Sequence, residues 1–199
     1  GVGRVAEVGT GVTEVKVGDR VHVFHKEPWK DPFGMGLWRE QVRVPADVVF
    51  RVQQEGDPIQ LSFVTNNAIT SYFMLKDVVP LKPGDWVLQN SANSNCGIYL
   101  IQLARKWGIR TVNVVRRGSL IDELKAYGAD VVLLDSDNLA EEVENATDSA
   151  PIRLGFDGVA GTATGRIASC LADGGTVASY GMASGEPSVL PVDLMLFKD

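Results

Sequence analysis

The chain has 199 residues, 45% of them hydrophobic and 22% charged, which is enough for one large domain or two small ones with a real core. Its net charge of −6 supplies no overall field for nucleic acid or an anionic membrane, so an anionic ligand needs a local patch. No apolar run approaches the roughly 20 residues of a membrane span; Cys96, Cys170, His22 and His25 are too few for a disulfide scaffold and supply metal chemistry poorly.

Gly1 opens directly into a strand-like pattern without an initiator Met, and the chain stops at Phe197-Lys198-Asp199 after an apolar segment. The expectation is a fragment of a longer protein, with any targeting segment upstream. Val2, Val5, Val8 and Val12 stand among Gly1, Gly3, Gly9 and Gly11, a β-like start. Residues Val15 to Val23 read as a turn at Gly18-Asp19 followed by an alternating strand. Glu27 to Gly36, with Pro28 and Pro32, reads as a loop. Gln41 to Val44 and Val48 to Val52 read as short strands around Pro45-Ala46-Asp47, in a small barrel or sandwich pattern.

The pattern changes near Ile59. Leu61 to Leu75 has helical spacing and connects the two parts, and Pro80 to Asp85 is a turn. Strands are predicted at Trp86–Gln89, Thr111–Val115, Val131–Leu134, Arg153–Phe156 and Thr176–Ser179. Helices are predicted at Gly97–Lys106, Ser119–Tyr127, Leu139–Asn145 and Thr164–Leu171. Such alternation predicts a parallel sheet with helices on both faces.

The loop Gln89 to Gly97 lies between the first of these strands and its helix. Small residues let a backbone approach a phosphate, and a helix start supplies N–H groups and a positive dipole end. The loop is glycine-poor for a dinucleotide fingerprint: Asn95 stands where a glycine is expected, and Asn tolerates a left-handed backbone. Taken alone, the loop is a weak signal, an ordinary polar strand-to-helix turn being the alternative. The next strand ends at Arg116-Arg117, where an NAD site normally carries an acidic residue. A guanidinium pair there suits a 2′-phosphate and favours NADP(H) over a merely solvated basic turn. Cys96 near the helix start is read as a packing residue. Tyr180 to Ala183 follows the fifth strand, either as cofactor contact or as a plain turn. Trp38 and Arg39 could reach a cleft, although a buried Trp in a small barrel is the commoner role.

Several stretches resemble the zinc-free medium-chain dehydrogenase/reductases, and within them the mitochondrial enoyl-thioester reductases. They are Val17-Gly18-Asp19-Arg20-Val21, Gly36 to Arg39, Asn67 to Tyr72, Leu81 to Val87, Val87 to Ser94, Arg110 to Arg116, Gly174 to Met182, and Leu196 to Asp199. The resemblance implies an α/β fold: a doubly wound Rossmann sheet at 61–199, lacking its last strands, preceded by part of a GroES-like β-barrel domain at 1–60. It implies NADPH as hydride donor to a trans-2-enoyl thioester carried on CoA or acyl carrier protein. Implied cofactor contacts are Asn67, Asn93, Ser94, Asn95, Cys96, Arg116, Arg117, Gly118, Tyr180, Gly181, Met182 and Ala183. That family's loop usually reads Asn-Ser-Gly-Val-Gly; Arg117 stands where an acidic residue is common, and Gly118 where an arginine is. The catalytic tyrosine implied by the resemblance lies upstream of Gly1, so no catalytic residue and no metal ligand is expected here, and the fragment alone is expected to be inactive. The resemblance further implies a mitochondrial location and a homodimeric full-length protein. The alternatives are a zinc-free quinone oxidoreductase and a truncated nucleotide-binding product without catalysis.

Overall fold

A computed structural model of the chain describes residues 1–24, 36–37 and 39–197. His25, most of the Glu27–Gly36 loop, Trp38, Lys198 and Asp199 lie outside the described residues. The chain divides into two compact units, Gly1–Asn66 and Asn67–Asp199.

The first unit holds an antiparallel sheet of β1 (Val2–Arg4), β2 (Arg20–Val23) and β3 (Val49–Arg51), in that order. The predicted turn is present: Gly18 adopts φ +90°, and Asp19 N–H donates to the Lys16 carbonyl at 3.0 Å. The Asp19 carboxylate accepts from Lys16 N–H, so the turn is fixed from both sides. The strand expected at Gln41–Val44 does not form. It has no ladder partner among the described residues, and without one an exposed alternating segment has nothing to hold it extended.

The helix expected at Leu61–Leu75 starts earlier and is interrupted. Asp57 caps α1 (Pro58–Phe63) by accepting from Ile59 N–H at 2.9 Å, and Pro58 occupies the first turn, where a missing N–H costs little. A π-helical turn, Val64–Ala68, separates it from α2 (Ile69–Asp77).

In the second unit, β4 (Trp86–Gln89), β5 (Arg110–Val115), β6 (Val131–Leu134), β7 (Ile152–Asp157) and β8 (Thr176–Ser179) form one parallel sheet. Its order is β6-β5-β4-β7-β8. All four residues of β4 are buried, as a central parallel strand covered on both faces requires. On one face Trp86, Leu88, Val112 and Val114 pack with Leu139 and Val143 of α5 (Leu139–Ala146) and Ile167 of α6 (Thr162–Ser169). On the other, Val87, Leu154 and Phe156 pack with Met74 and Leu75 of α2 and Leu100 and Ala104 of α3 (Asn95–Trp107). Ile101 of α3 and Leu124 of α4 (Ile121–Tyr127) extend that side. The sheet is therefore doubly wound, as the alternating pattern predicted.

Helix α3 shows why the sequence folds this way locally. Ser94 caps it, its buried residues recur at Gly97, Leu100, Ile101 and Ala104, and Gly108 ends it at φ +71°. A short helix, α7 (Val192–Phe197), closes the described chain; the sequence reading did not predict it.

Phe156 is fully buried between the sheet and α3. Phe156→Ala should destabilise the second unit by about 3–5 kcal/mol in urea unfolding. A loss below about 1 kcal/mol would contradict this packing.

Candidate functional site

The sheet order places β5 and β7 on opposite sides of β4, the first strand of the unit. The chain runs from β4 to β5 on one side and from β7 to β8 on the other, so the strand order reverses between β4 and β7, and at this switch point a crevice opens beyond the carboxyl ends of the strands. The residues that follow β4, β5, β7 and β8 surround it.

After β4 the chain turns at Ser91, which adopts φ +50°. Asn95 is the first residue of α3, in helical conformation, which corrects the expectation of a left-handed Asn95. The backbone reversal comes four residues earlier, leaving Asn95 free to begin the helix. Ser94 accepts from Gly97 N–H at 3.1 Å. A Cβ on Gly97 would overlap the Ala92 backbone, so glycine is required by closeness rather than by φ. Asn93 and Asn95 are exposed, Ser94 is half-buried and Cys96 is buried. This is a short loop of small residues opening a 13-residue helix, the arrangement that binds phosphate groups.

Beneath the loop lies a buried polar ladder. The Gln89 amide donates to the Gly97 carbonyl at 3.1 Å and to Asn113 Oδ1 at 2.7 Å. Asn113 donates in turn to Thr111 Oγ1 at 2.9 Å and the Val131 carbonyl at 3.0 Å. Gln89 and Asn113, from two of the stretches that carry the family resemblance, are thus partners across β4 and β5.

Cys96 is a packing residue, as read. Its thiol donates to the Asn67 carbonyl at 3.4 Å, and burial pushes its pKa up. Ser71 Oγ donates to both the Asn67 and Cys96 carbonyls, at 2.9 and 2.8 Å. Asn67 itself lies in the π-helical turn, a distortion frequent at functional sites. Arg116, Arg117 and Gly118 follow β5 and are exposed. Neither guanidinium has an ion pair among the described residues. A side chain at Gly118 would meet open space, so no local geometry demands glycine there.

After β8, Tyr180 packs its ring end against Gly158; a Cβ on Gly158 would come within 2.8 Å of the Tyr180 hydroxyl. That hydroxyl is buried without a well-aligned hydrogen-bond partner; burial pushes its pKa up, and Ser94 nearby pulls the other way. Gly181 sits on the Gly158 backbone, and Ala183 N–H donates to the Gly158 carbonyl at 3.2 Å. Met182 is 61% exposed beside them. Arg39 is exposed in the first unit.

Sequence reasoning missed the residues at the centre. Asp157 is fully buried at the end of β7. Its Oδ1 accepts from Asn90 Nδ2 at 2.7 Å, Val159 N–H at 2.9 Å and Ala160 N–H at 3.0 Å, and Oδ2 accepts from the Thr164 hydroxyl. Gly158 N–H returns a bond to Asn90 Oδ1 at 2.8 Å. The available signal was Phe156-Asp157-Gly158, an acidic residue ending an apolar strand just before a glycine.

Among the described residues no group of His, Cys, Asp or Glu could hold a metal ion. His22 is occupied with Thr65 and Ser62, and Cys96 with Asn67, so a zinc site does not fit these residues. No described helix is long and apolar enough to cross a membrane.

Burial raises the Asp157 pKa, but the Thr164 hydroxyl, the Asn90 amide and the two backbone N–H groups outweigh it and hold the carboxyl below its ordinary value. Its ionised form therefore stabilises the fold above the ordinary Asp pKa, and that contribution is lost as pH falls through the lowered one. Unfolding midpoints measured from about pH 5 down to about pH 2 should fall less steeply for Asp157→Asn than for the parent chain. Equal slopes would contradict this role.

Family comparison agrees with the architecture. A model described as "Alcohol dehydrogenase GroES-like domain" matches residues 1–54, and one described as "Zinc-binding dehydrogenase" matches 96–199. Mitochondrial enoyl-[acyl-carrier-protein] reductases from Dictyostelium discoideum and Caenorhabditis elegans are 34% and 37% identical over the whole chain. The chain spans 57% and 56% of their lengths, so it covers little more than half of these relatives. Among solved structures, the Candida tropicalis mitochondrial 2-enoyl thioester reductase Etr1p/Etr2p heterodimer superposes with a TM-score of 0.82 at 25% identity, covering 100% of this chain and 58% of that one. An Etr1p complex with NADP and crotonyl-CoA gives 0.82 at 26%, with the same coverage. A Pseudomonas syringae quinone oxidoreductase gives 0.86 at 25%, covering 100% and 59%. With a GroES-like match at one end and more than half its length matching the second model, the chain belongs to the zinc-binding dehydrogenase family.

Proposed function

We propose that this chain is the cofactor-binding part of an NADPH-dependent enoyl-thioester reductase. The observation that carries the reading is a small-residue loop opening α3 at the switch point, with exposed Arg116 and Arg117 ending the adjacent strand. The relatives named enoyl reductases and the neighbour bound to NADP and crotonyl-CoA support the same reading.

The fit to a dinucleotide is physical. The first turn of α3 directs N–H groups and a positive dipole end towards the pyrophosphate, and Gly97 lets that turn lie directly on Ala92. Asn93, Ser94, Asn95 and Cys96 line the loop, and Asn67 is tied to it through Cys96. Arg116 and Arg117 provide charge-assisted donors for a 2′-phosphate, with Gly118 leaving room beside them. Tyr180, Gly181, Met182 and Ala183 form the wall beyond β8. When bound, NADPH supplies the hydride that adds to the β-carbon of the enoyl thioester; the α-carbon then takes a proton. Stabilising the intervening enolate oxygen is where catalysis concentrates. The tyrosine that assists there is expected upstream of Gly1, in the longer protein.

The domain division at 1–60 and 61–199, a mitochondrial location and a homodimeric full-length protein complete this proposal. A setting in mitochondrial fatty-acid synthesis belongs to the same proposal and is supported by relatives named mitochondrial enoyl-[acyl-carrier-protein] reductases. The quinone oxidoreductase neighbour, with its high TM-score, favours a second reading. Turnover of crotonyl or hexenoyl thioester against a quinone by the full-length protein separates the two.

NADPH should raise the melting temperature of the 199-residue chain by mass action. Arg116→Ala and Arg117→Ala should each weaken NADPH by about tenfold while changing NADH by less than about twofold. Equal losses for both nucleotides would remove the 2′-phosphate assignment, and no binding at all would remove the cofactor reading.

A further inference from the structure

The carboxyl ends of β4 and β7 are joined by a reciprocal pair of bonds. Asn90 donates to Asp157, and the amide of the next residue, Gly158, donates back to Asn90. Asn90 is the last residue before the Ser91 reversal, so it sets where the phosphate loop leaves the sheet. Asp157 simultaneously gathers Val159 and Ala160 N–H and the Thr164 hydroxyl, holding the β7–α6 turn. That turn contains Ala160 at φ +63° and Gly161 at φ +60°, a shape a non-glycine residue adopts only when its surroundings impose it. Its Gly158 is the surface on which Tyr180 and Gly181 rest.

We propose that Asn90 and Asp157 are positioning residues that lock the phosphate loop, the β7–α6 turn and the Tyr180–Ala183 segment into one rigid rim around the central part of the dinucleotide. The proposal rests on the cofactor reading above. The clamp joins the segments beyond β4 and β7, reaches the one beyond β8 through Tyr180 N–H on the Asp157 carbonyl and Ala183 N–H on the Gly158 carbonyl, and makes no hydrogen bond to Arg116 or Arg117 after β5. It therefore acts on the pyrophosphate and nicotinamide side of the ligand and leaves the 2′-phosphate end alone. The hydrogen-bond pattern also says what can replace Asp157. An Asn keeps one oxygen for the three N–H donors, and its amide faces Thr164, whose hydroxyl can turn to accept. An Ala leaves those buried donors unpaired.

The test titrates the 199-residue chain and its variants with NADPH and with adenosine 2′-monophosphate, which carries the 2′-phosphate end without any part of the pyrophosphate. Asp157→Ala and Asn90→Ser should weaken NADPH by about tenfold or more and change the 2′-monophosphate by less than about twofold. Asp157→Asn should restore NADPH affinity to within about threefold of the parent. Parallel loss of both ligands, unchanged NADPH affinity, or failure of Asp157→Asn to rescue would each overturn the clamp. Should Asp157→Ala not fold, Asn90→Ser and Asp157→Asn decide the matter between them. A parent chain that binds neither ligand overturns the cofactor reading itself, an outcome distinct from a failed clamp.

Discussion

The architecture of the second unit depends on how closely the first turn of α3 sits on the end of β4. Gly97 lies against the Ala92 backbone with no room for a Cβ, and the Gln89 amide reaches across to the Gly97 carbonyl. Moving the helix outward by the width of a methyl group would break that bond and leave one buried Gln89 N–H without its acceptor, which is costly in a low-dielectric interior. Three consequences share this contact. The loop between β4 and α3 is forced to be short, the helix dipole points into the crevice, and Gln89 is held where it can pair with Asn113 on β5.

A second layer of organisation sits at the opposite side of the crevice. Buried hydrogen bonds at Asp157 connect elements separated by more than sixty positions in sequence, such as Asn90 and Asp157. An ionised carboxylate buried at a strand end would be strongly unfavourable alone, and four donors are what make it tolerable. Local turn geometry and long-range strand spacing are thereby fixed by the same oxygen atoms. The exposed Arg116 and Arg117 stand outside this network.

Much of the doubly wound sheet is legible in sequence because buried parallel strands and amphipathic helices obey simple periods. Trp86–Gln89 is apolar enough to be central, and the 97, 100, 101, 104 spacing identifies α3. What stayed hidden depends on partners distant in the chain. The reversal at Ser91 rather than Asn95 follows from where Asn90 and Ala92 are held, which loop composition does not encode. The role of Asp157 needs Asn90, far upstream. Gln41–Val44 has the composition of a strand, but pairing decides whether one forms. The helix from Pro58 to Asp77 has a readable start at Asp57, whereas its π-helical interruption follows no local sequence signal we recognise.

Backbone amide hydrogen exchange, with and without NADPH, tests most directly whether the nucleotide lies across the carboxyl ends of the sheet. NADPH should slow exchange in the Ser91–Gly97 loop, around Arg116–Gly118 and in the Gly158–Gly161 turn, while the strands of the first unit's β1–β3 sheet stay unchanged. Protection confined to the first unit, or none at the loop opening α3, would contradict the account.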